Sequence, residues 1–258
     1  MKIDQVAIQL YTLRDFCKTP ADIASTIKRV REIGYQSVQL SGLGPHTEEE
    51  IVAICKGEGV TICATHEPSQ LIVDNVQAVI DRLGKLGCKY TAYPYPAYVD
   101  LTKPEVVVDL AHKLDKAGAQ MRAAGQVLGY HNHAIEFFKP ADKTVFDIIL
   151  EESSPENLVA ELDTYWCHFG GCDVVDWCHK LKGRLPFIHL KDYLFSAENK
   201  PAFGEIGYGN LNFQAIITAA EDSGCQWFIV EQDECPGDPF DSIKKSFDYI
   251  AANLVALT

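Results

Sequence analysis

The stretch "QVLGYHNHAIEF" (126–137) decides how the chain is read. An apolar run broken by one glycine passes directly into two histidines, an asparagine and a glutamate. If the run is a β-strand, side chains alternate across it with a period of two, so His131 and His133 point to one face. Taken alone, two histidines suit a water-exposed loop equally well, because histidine is of intermediate burial. The rest of the chain has to decide.

Seven further strand-like runs surround this one: 4–11, 37–41, 60–66, 89–94, 157–163, 186–192 and 227–233, with the run itself at 126–133. Helical patterns separate them. One begins at Pro20, which suits a first turn, and stops at Gly34; another runs from Pro104 to a stop at Gly125. Eight strands each followed by a helix predict a single (β/α)8 barrel domain over residues 1–258, with an open doubly wound sheet as the competitor. The open sheet expects a glycine fingerprint after the first strand, where "YTLRD" stands instead.

Strand parity supports closure. Gln5 and Gln9 alternate with Val6, Ile8 and Leu10; Ser37, Gln39 and Ser41 with Val38 and Leu40; Glu161 and Asp163 with Ala160 and Leu162; His189 and Lys191 with Ile188 and Leu190; and, less cleanly, Glu231 and Asp233 with Phe228, Val230 and Gln232. In a parallel barrel the outward face packs on helices and must be apolar, so the polar parity faces inward. Ionisable groups there are costly unless paired or bound to a metal.

Composition narrows the partners. A formal charge of −13, from 36 acidic and 23 basic residues, argues against nucleic acid, whose binding depends on Lys and Arg displacing counterions. No run approaches a membrane span, and the first residues lack a secretory pattern, so the expected location is cytoplasmic. Nine cysteines without a CxxC pair indicate neither a disulfide framework nor a thiolate zinc site.

The polar residues cluster at the C-terminal ends of four successive strands, where barrels of this kind carry active sites. The candidates are His131, His133, Glu136, Asp163, His189, Lys191 and Glu231. A mixture of carboxylate and imidazole suits one divalent metal ion, with Mn, Zn, Co and Mg all open.

The segments "YHNHAIEF", "ELDTYW", "FIHLKD", "GEIGYGNLNF" and "IVEQD", in this order, together with "IQLYTLRD" at the start, resemble the sugar isomerase/epimerase branch of the xylose-isomerase-like TIM barrel superfamily across essentially the whole chain. The resemblance implies one divalent metal held by Glu, Asp, His and Glu from strands five to eight. The last three fall on Asp163, His189 and Glu231. Strand five departs from the pattern, with His131 where many relatives carry glutamate and the carboxylate five positions later. The preferred assignment makes Glu136 the ligand and leaves His131 or His133 for proton transfer; the alternative makes His131 the ligand and turns Glu136 to substrate hydroxyls.

The resemblance further implies a small-molecule sugar with a carbonyl next to a hydroxyl-bearing carbon, isomerised or epimerised by proton transfer beside the metal. His131, His133 and Glu231 are the candidate bases. Lys191 neutralises an oxyanion or forms a structural ion pair with Glu161 or Asp163. Tyr11, His66 and Trp166 are expected to wall the sugar pocket, with Glu205 in a glycine-rich loop (203–210) read as a mobile lid. The competing functions are a metal-dependent lyase or dehydratase acting on keto-sugars or keto-glycosides, and a non-catalytic sugar-binding protein. A homo-oligomer is left open, and a neutral sugar is favoured because no Arg cluster or phosphate cradle is evident.

Overall fold

All eight strand runs become staves of one closed, parallel barrel. The computed structural model describes residues 1–255. Its strands in chain order are β1 (Val6–Gln9), β2 (Ser37–Leu40), β3 (Thr61–His66), β4 (Tyr90–Tyr93), β5 (Val127–His131), β6 (Leu158–Asp163), β7 (Phe187–Leu190), β8 (Asp192–Phe195), β9 (Pro201–Gly204) and β10 (Trp227–Val230). Around the barrel the order is β1, β10, β7, β6, β5, β4, β3, β2, closed by the β1–β2 pairing; β8 and β9 form a separate antiparallel hairpin.

Parity sorts the side chains as expected. Ile8, Val38, Leu128, Leu162, Ile188 and Val230 belong to the large apolar layer between barrel and helices. Ala7, Tyr90, Ala92, Phe187 and Ile229 form a smaller apolar plug. Gly129 is the glycine that interrupts the strand-five run, and the plug explains it: a Cβ there lies 2.6 Å from the Phe187 ring, so only a residue without a side chain leaves room. The polar parity supplies a wholly buried layer of Gln9, Gln39, Glu161 and His189.

The outer helices start where local chemistry tells them to. Thr19 with Asp22, Thr47 with Glu50, and Thr144 with Asp147 make reciprocal capping boxes that satisfy otherwise orphaned N–H groups at the starts of the helices Pro20–Ile33, Glu48–Gly57 and Val145–Glu151. Among the described residues no helix is long and apolar enough to cross a membrane.

Three expectations need correction. The expected strand 186–192 stops at Leu190, because Asp192 turns away to begin the hairpin. Its buried carboxylate accepts the backbone N–H groups of Gly207, Gly209 and Leu211 at 2.9, 2.8 and 3.2 Å. The glycine-rich loop is therefore stapled to the barrel end, and the expected mobile lid is not what these bonds describe. A Cβ on Gly209 lies 2.4 Å from Asp192 Oδ1, which is why that residue is glycine. The expected strand 126–133 ends at His131, where a 3-10 turn (Ala134–Phe137) follows with His133 as its N-cap.

Candidate active site

The ends of β5, β7 and β10 converge on one cavity of about 460 Å³, lined by Tyr11, Arg14, Ser41, His66, Pro94, Tyr95, His131, His133, Lys191, Glu231, Asp233 and Glu234. Short cross-strand bonds fix these ends. Buried Asn132 accepts the backbone N–H of Asp163 at 3.0 Å, and Thr164 bonds both the N–H and the carbonyl of Lys191, at 2.9 and 2.8 Å. Asp163 Oδ1 caps the next helix by accepting the Trp166 N–H at 2.9 Å, leaving Oδ2 buried with no hydrogen-bond partner.

That orphaned oxygen belongs to a quartet. His131, Asp163, His189 and Glu231 each place a ligating atom within 4.8 Å of the others, all buried. Two carboxylates and two imidazoles are a donor set suited to a divalent cation, with charge enough to neutralise it. The Nδ1 of His131 likewise lacks a hydrogen-bond partner. A second group, His66, His131, Glu161 and His189, shares two of these histidines. There the donors are spent on protein partners: His66 Nε2 meets Glu161 Oε2 at 2.5 Å, and Gln39 Nε2 donates to Glu161 Oε1 at 2.7 Å. The fit to a cation is therefore better in the quartet of the strand ends.

The electrostatics are strongly perturbed. Burial depresses His131 to about 3 and His133 to about 2, so both rings are neutral at ordinary pH. Burial also opposes charge on His189, but the carboxylates of Glu161 and Glu231 hold it up at about 10. Asp163 is lifted to about 7 by burial against the pull of Lys191 and His189. Glu231 lies 2.9 Å from His189 Nδ1 and 3.1 Å from Lys191 Nζ; burial works against its charge, yet these two cations keep it well below the usual carboxylate range. Lys191 Nζ also reaches Asp163 at 3.6 Å and Asp233 at 2.8 Å, and stands over the Trp166 ring at 5.3 Å. Against the desolvation of full burial, these carboxylates hold it protonated.

The structure sorts the sequence candidates. His131, His133, Lys191 and Glu231 come together on the cavity wall, joined by Tyr11 and His66, while Asp163 and His189 close the quartet beneath. Glu136 is placed elsewhere. Its carboxylate has no exposure, accepts the Tyr130 O–H at 3.0 Å and the His133 N–H at 2.7 Å, and joins neither donor group. The 3-10 turn folds it back under the backbone, and the strand-five member of both donor groups is His131. Glu205 is not brought to the cavity: it bonds Ser242 and Lys245, both at 3.0 Å. Trp166 backs Lys191 and His133, at 5.5 Å from the latter ring, without lining the cavity. Lys191 pairs with Asp163 but not Glu161. Asp233 was overlooked as a site residue, although its inward parity and its place two residues after Glu231 were the available signals.

A closed eight-stranded parallel barrel with a buried carboxylate–imidazole quartet at the ends of successive strands defines a class of enzyme that works on small molecules at its C-terminal face. The chain belongs to the xylose isomerase-like TIM barrel family, whose model matches residues 27–253. An inosose dehydratase of Mesomycoplasma hyopneumoniae strain J is 26% identical over 95% of this chain and 94% of its own length. A sugar phosphate isomerase/epimerase from Parabacteroides distasonis superposes with a TM-score of 0.84 at 19% identity, covering 98% of this chain and 96% of that one. An L-ribulose 3-epimerase superposes with a TM-score of 0.75 at 16% identity, over 98% and 95%. These structural likenesses bear on the fold.

Proposed function

We propose that the protein is a divalent-metal-dependent lyase of a neutral keto-sugar or keto-cyclitol, removing a proton beside the carbonyl and expelling an oxygen substituent from the next carbon. The observation that carries this reading is the pairing, on one cavity wall, of a neutral imidazole, His133, with the Lys191–Asp233 ammonium–carboxylate pair at 2.8 Å. Elimination needs both a proton acceptor and a donor for the departing oxygen. A cation held by His131, Asp163, His189 and Glu231 supplies Lewis-acid stabilisation of the negative charge that develops at the carbonyl.

The chain's own groups divide the remaining work. His133 accepts the proton from carbon, with the Glu231 carboxylate opposing the desolvation that disfavours its imidazolium; its ring stands edge-on to Tyr95 at 5.1 Å and to His131 at 5.0 Å. Lys191, held by Asp233 at 2.8 Å, sets a fixed positive charge beside the oxyanion, and the proton that His133 took from carbon passes from its imidazolium to the leaving oxygen, which departs as water or an alcohol. Tyr11 and Tyr95 wall the mouth. The carboxylates of Asp233 and Glu234 on the cavity wall repel a phosphate, and Arg14, which also lines the cavity, gives one N–H each to the carbonyls of Tyr11 and Asp233 at 2.9 and 3.0 Å. A neutral substrate follows.

The dehydratase name of the full-length sequence relative supports elimination. The second reading, an isomerase or epimerase that returns the proton to carbon, is supported by the overlap with the L-ribulose 3-epimerase and shares the first step. Mass spectrometry of neutral ketoses and keto-inositols incubated with the metal-loaded protein separates them. Loss of water or of an alcohol supports the lyase; a product of unchanged mass with altered stereochemistry or carbonyl position supports the isomerase.

A further inference from the structure

Beneath the quartet lies a polar layer that the proposed chemistry does not use. Glu161 is fully buried, and a lone carboxylate there is costly unless every lone pair is met. Gln39, on β2, donates Nε2 to Glu161 Oε1 at 2.7 Å, and His66 Nε2 meets Oε2 at 2.5 Å. Gln39 Oε1 in turn faces Gln9 Nε2 at 3.0 Å and His189 Nε2 at 2.7 Å.

Only one assignment of donors satisfies this layer. An ionised carboxylate accepts and cannot donate, so Gln39 must turn its NH2 towards Glu161. Gln39 Oε1 is then an acceptor, and His189 must carry a proton on Nε2. Its Nδ1, 2.9 Å from Glu231, is the nitrogen left to the quartet. On the other side Glu161 draws the Nε2 proton of His66, which turns His66 Nδ1 towards the Gln9 NH2 at 3.4 Å.

We infer that Glu161, 3.3 Å from His189 Nε2 and acting also through Gln39, is a positioning residue that keeps a proton on Nε2 of His66 and of His189, so that Nδ1, facing Glu231, is the His189 nitrogen that gives up its proton to a cation in the quartet. The consequence for metal binding rests on the proposed metal site; the hydrogen-bond pattern does not. Partners of this kind orient ligating histidines and raise their basicity, and losing one typically costs ~10–100-fold in metal affinity.

Long-range proton–nitrogen correlation spectra of the full-length protein labelled with ¹⁵N-histidine test this, before and after zinc is added. The expected result is a proton on Nε2 of both His66 and His189 throughout, with zinc shifting His189 at Nδ1. In Glu161→Gln the amide turns an NH2 into the layer; the His66 signal is expected to change and zinc affinity to fall by roughly 10–100-fold, with the circular dichroism of a folded barrel. If that variant does not fold, the wild-type spectra alone decide. Zinc acting at His189 Nε2, or a Glu161→Gln protein with unchanged histidine spectra and wild-type zinc affinity, overturns the inference. A wild-type protein that shows both Nε2 protons but takes up no zinc supports the positioning and refutes the metal site instead.

Discussion

Asn132 Oδ1 accepts the backbone N–H of Asp163 at 3.0 Å across the seam between β5 and β6, with the asparagine side chain wholly buried. This bond accounts for the asparagine between two histidines: His131 joins the quartet, His133 caps the following turn, and Asn132 holds the neighbouring carboxylate's backbone in register. Replacing it with leucine strands a buried N–H, which costs about 1–3 kcal/mol. Urea unfolding of Asn132→Leu is expected to show that loss, together with weaker metal binding; unchanged stability means the bond does not hold the seam.

Glu136 answers for the pH dependence of stability. Burial lifts it from 4.5 to about 7, against the stabilising bonds from His133 and Tyr130. A carboxyl whose folded value is raised keeps the native state's proton longer, so its contribution is fully present below pH 4.5 and is lost as pH rises to about 7. Glu136→Gln removes this slope. Relative to wild type the variant should gain stability between these limits, on the order of 1–3 kcal/mol. Metal content should not change; a variant stripped of metal restores Glu136 as the strand-five ligand.

Asp192 holds three N–H groups of the glycine-rich segment. Asp192→Ala is expected to cost roughly 2–4 kcal/mol, since each stranded buried donor costs about 1–3 before relaxation. It should also speed amide exchange and proteolysis at 205–211. If exchange there is already fast in the wild-type protein, the staple is not formed in solution.

Gly129→Ala pushes a methyl to 2.6 Å from the Phe187 ring inside the barrel. Overpacking of this kind typically costs about 1–3 kcal/mol. A thermal melt that matches wild type means the plug has slack at this level.

Much of this was legible in the chain because burial demands it. Outward residues such as Ile8, Leu162 and Val230 must be apolar to meet helices, which left Gln9, Gln39, Glu161 and His189 identifiable as interior. Partner identity was not legible. Gln39 and Glu161 are 122 residues apart and meet only when the barrel closes, so no local pattern announces them. Glu136 was misplaced because its position depends on a 3-10 turn that reverses the chain just past the strand. The β8–β9 hairpin was missed because the strand reading stopped at Asp192 and the glycine-rich run from 203 reads as a loop; the bonds to Asp192 show where the chain turns away from the barrel.

The central claim is that this cavity removes a proton beside a carbonyl with the help of a bound cation. Proton NMR in D₂O, on a ketose or keto-inositol found to be consumed by the protein, follows that proton directly. The account predicts loss or exchange of the proton with metal-loaded wild-type protein, abolition by a chelator or by Asp163→Asn, and a fall of ~10²–10⁴-fold in His133→Asn that retains its metal. Exchange at the wild-type rate in the chelated Asp163→Asn protein contradicts it.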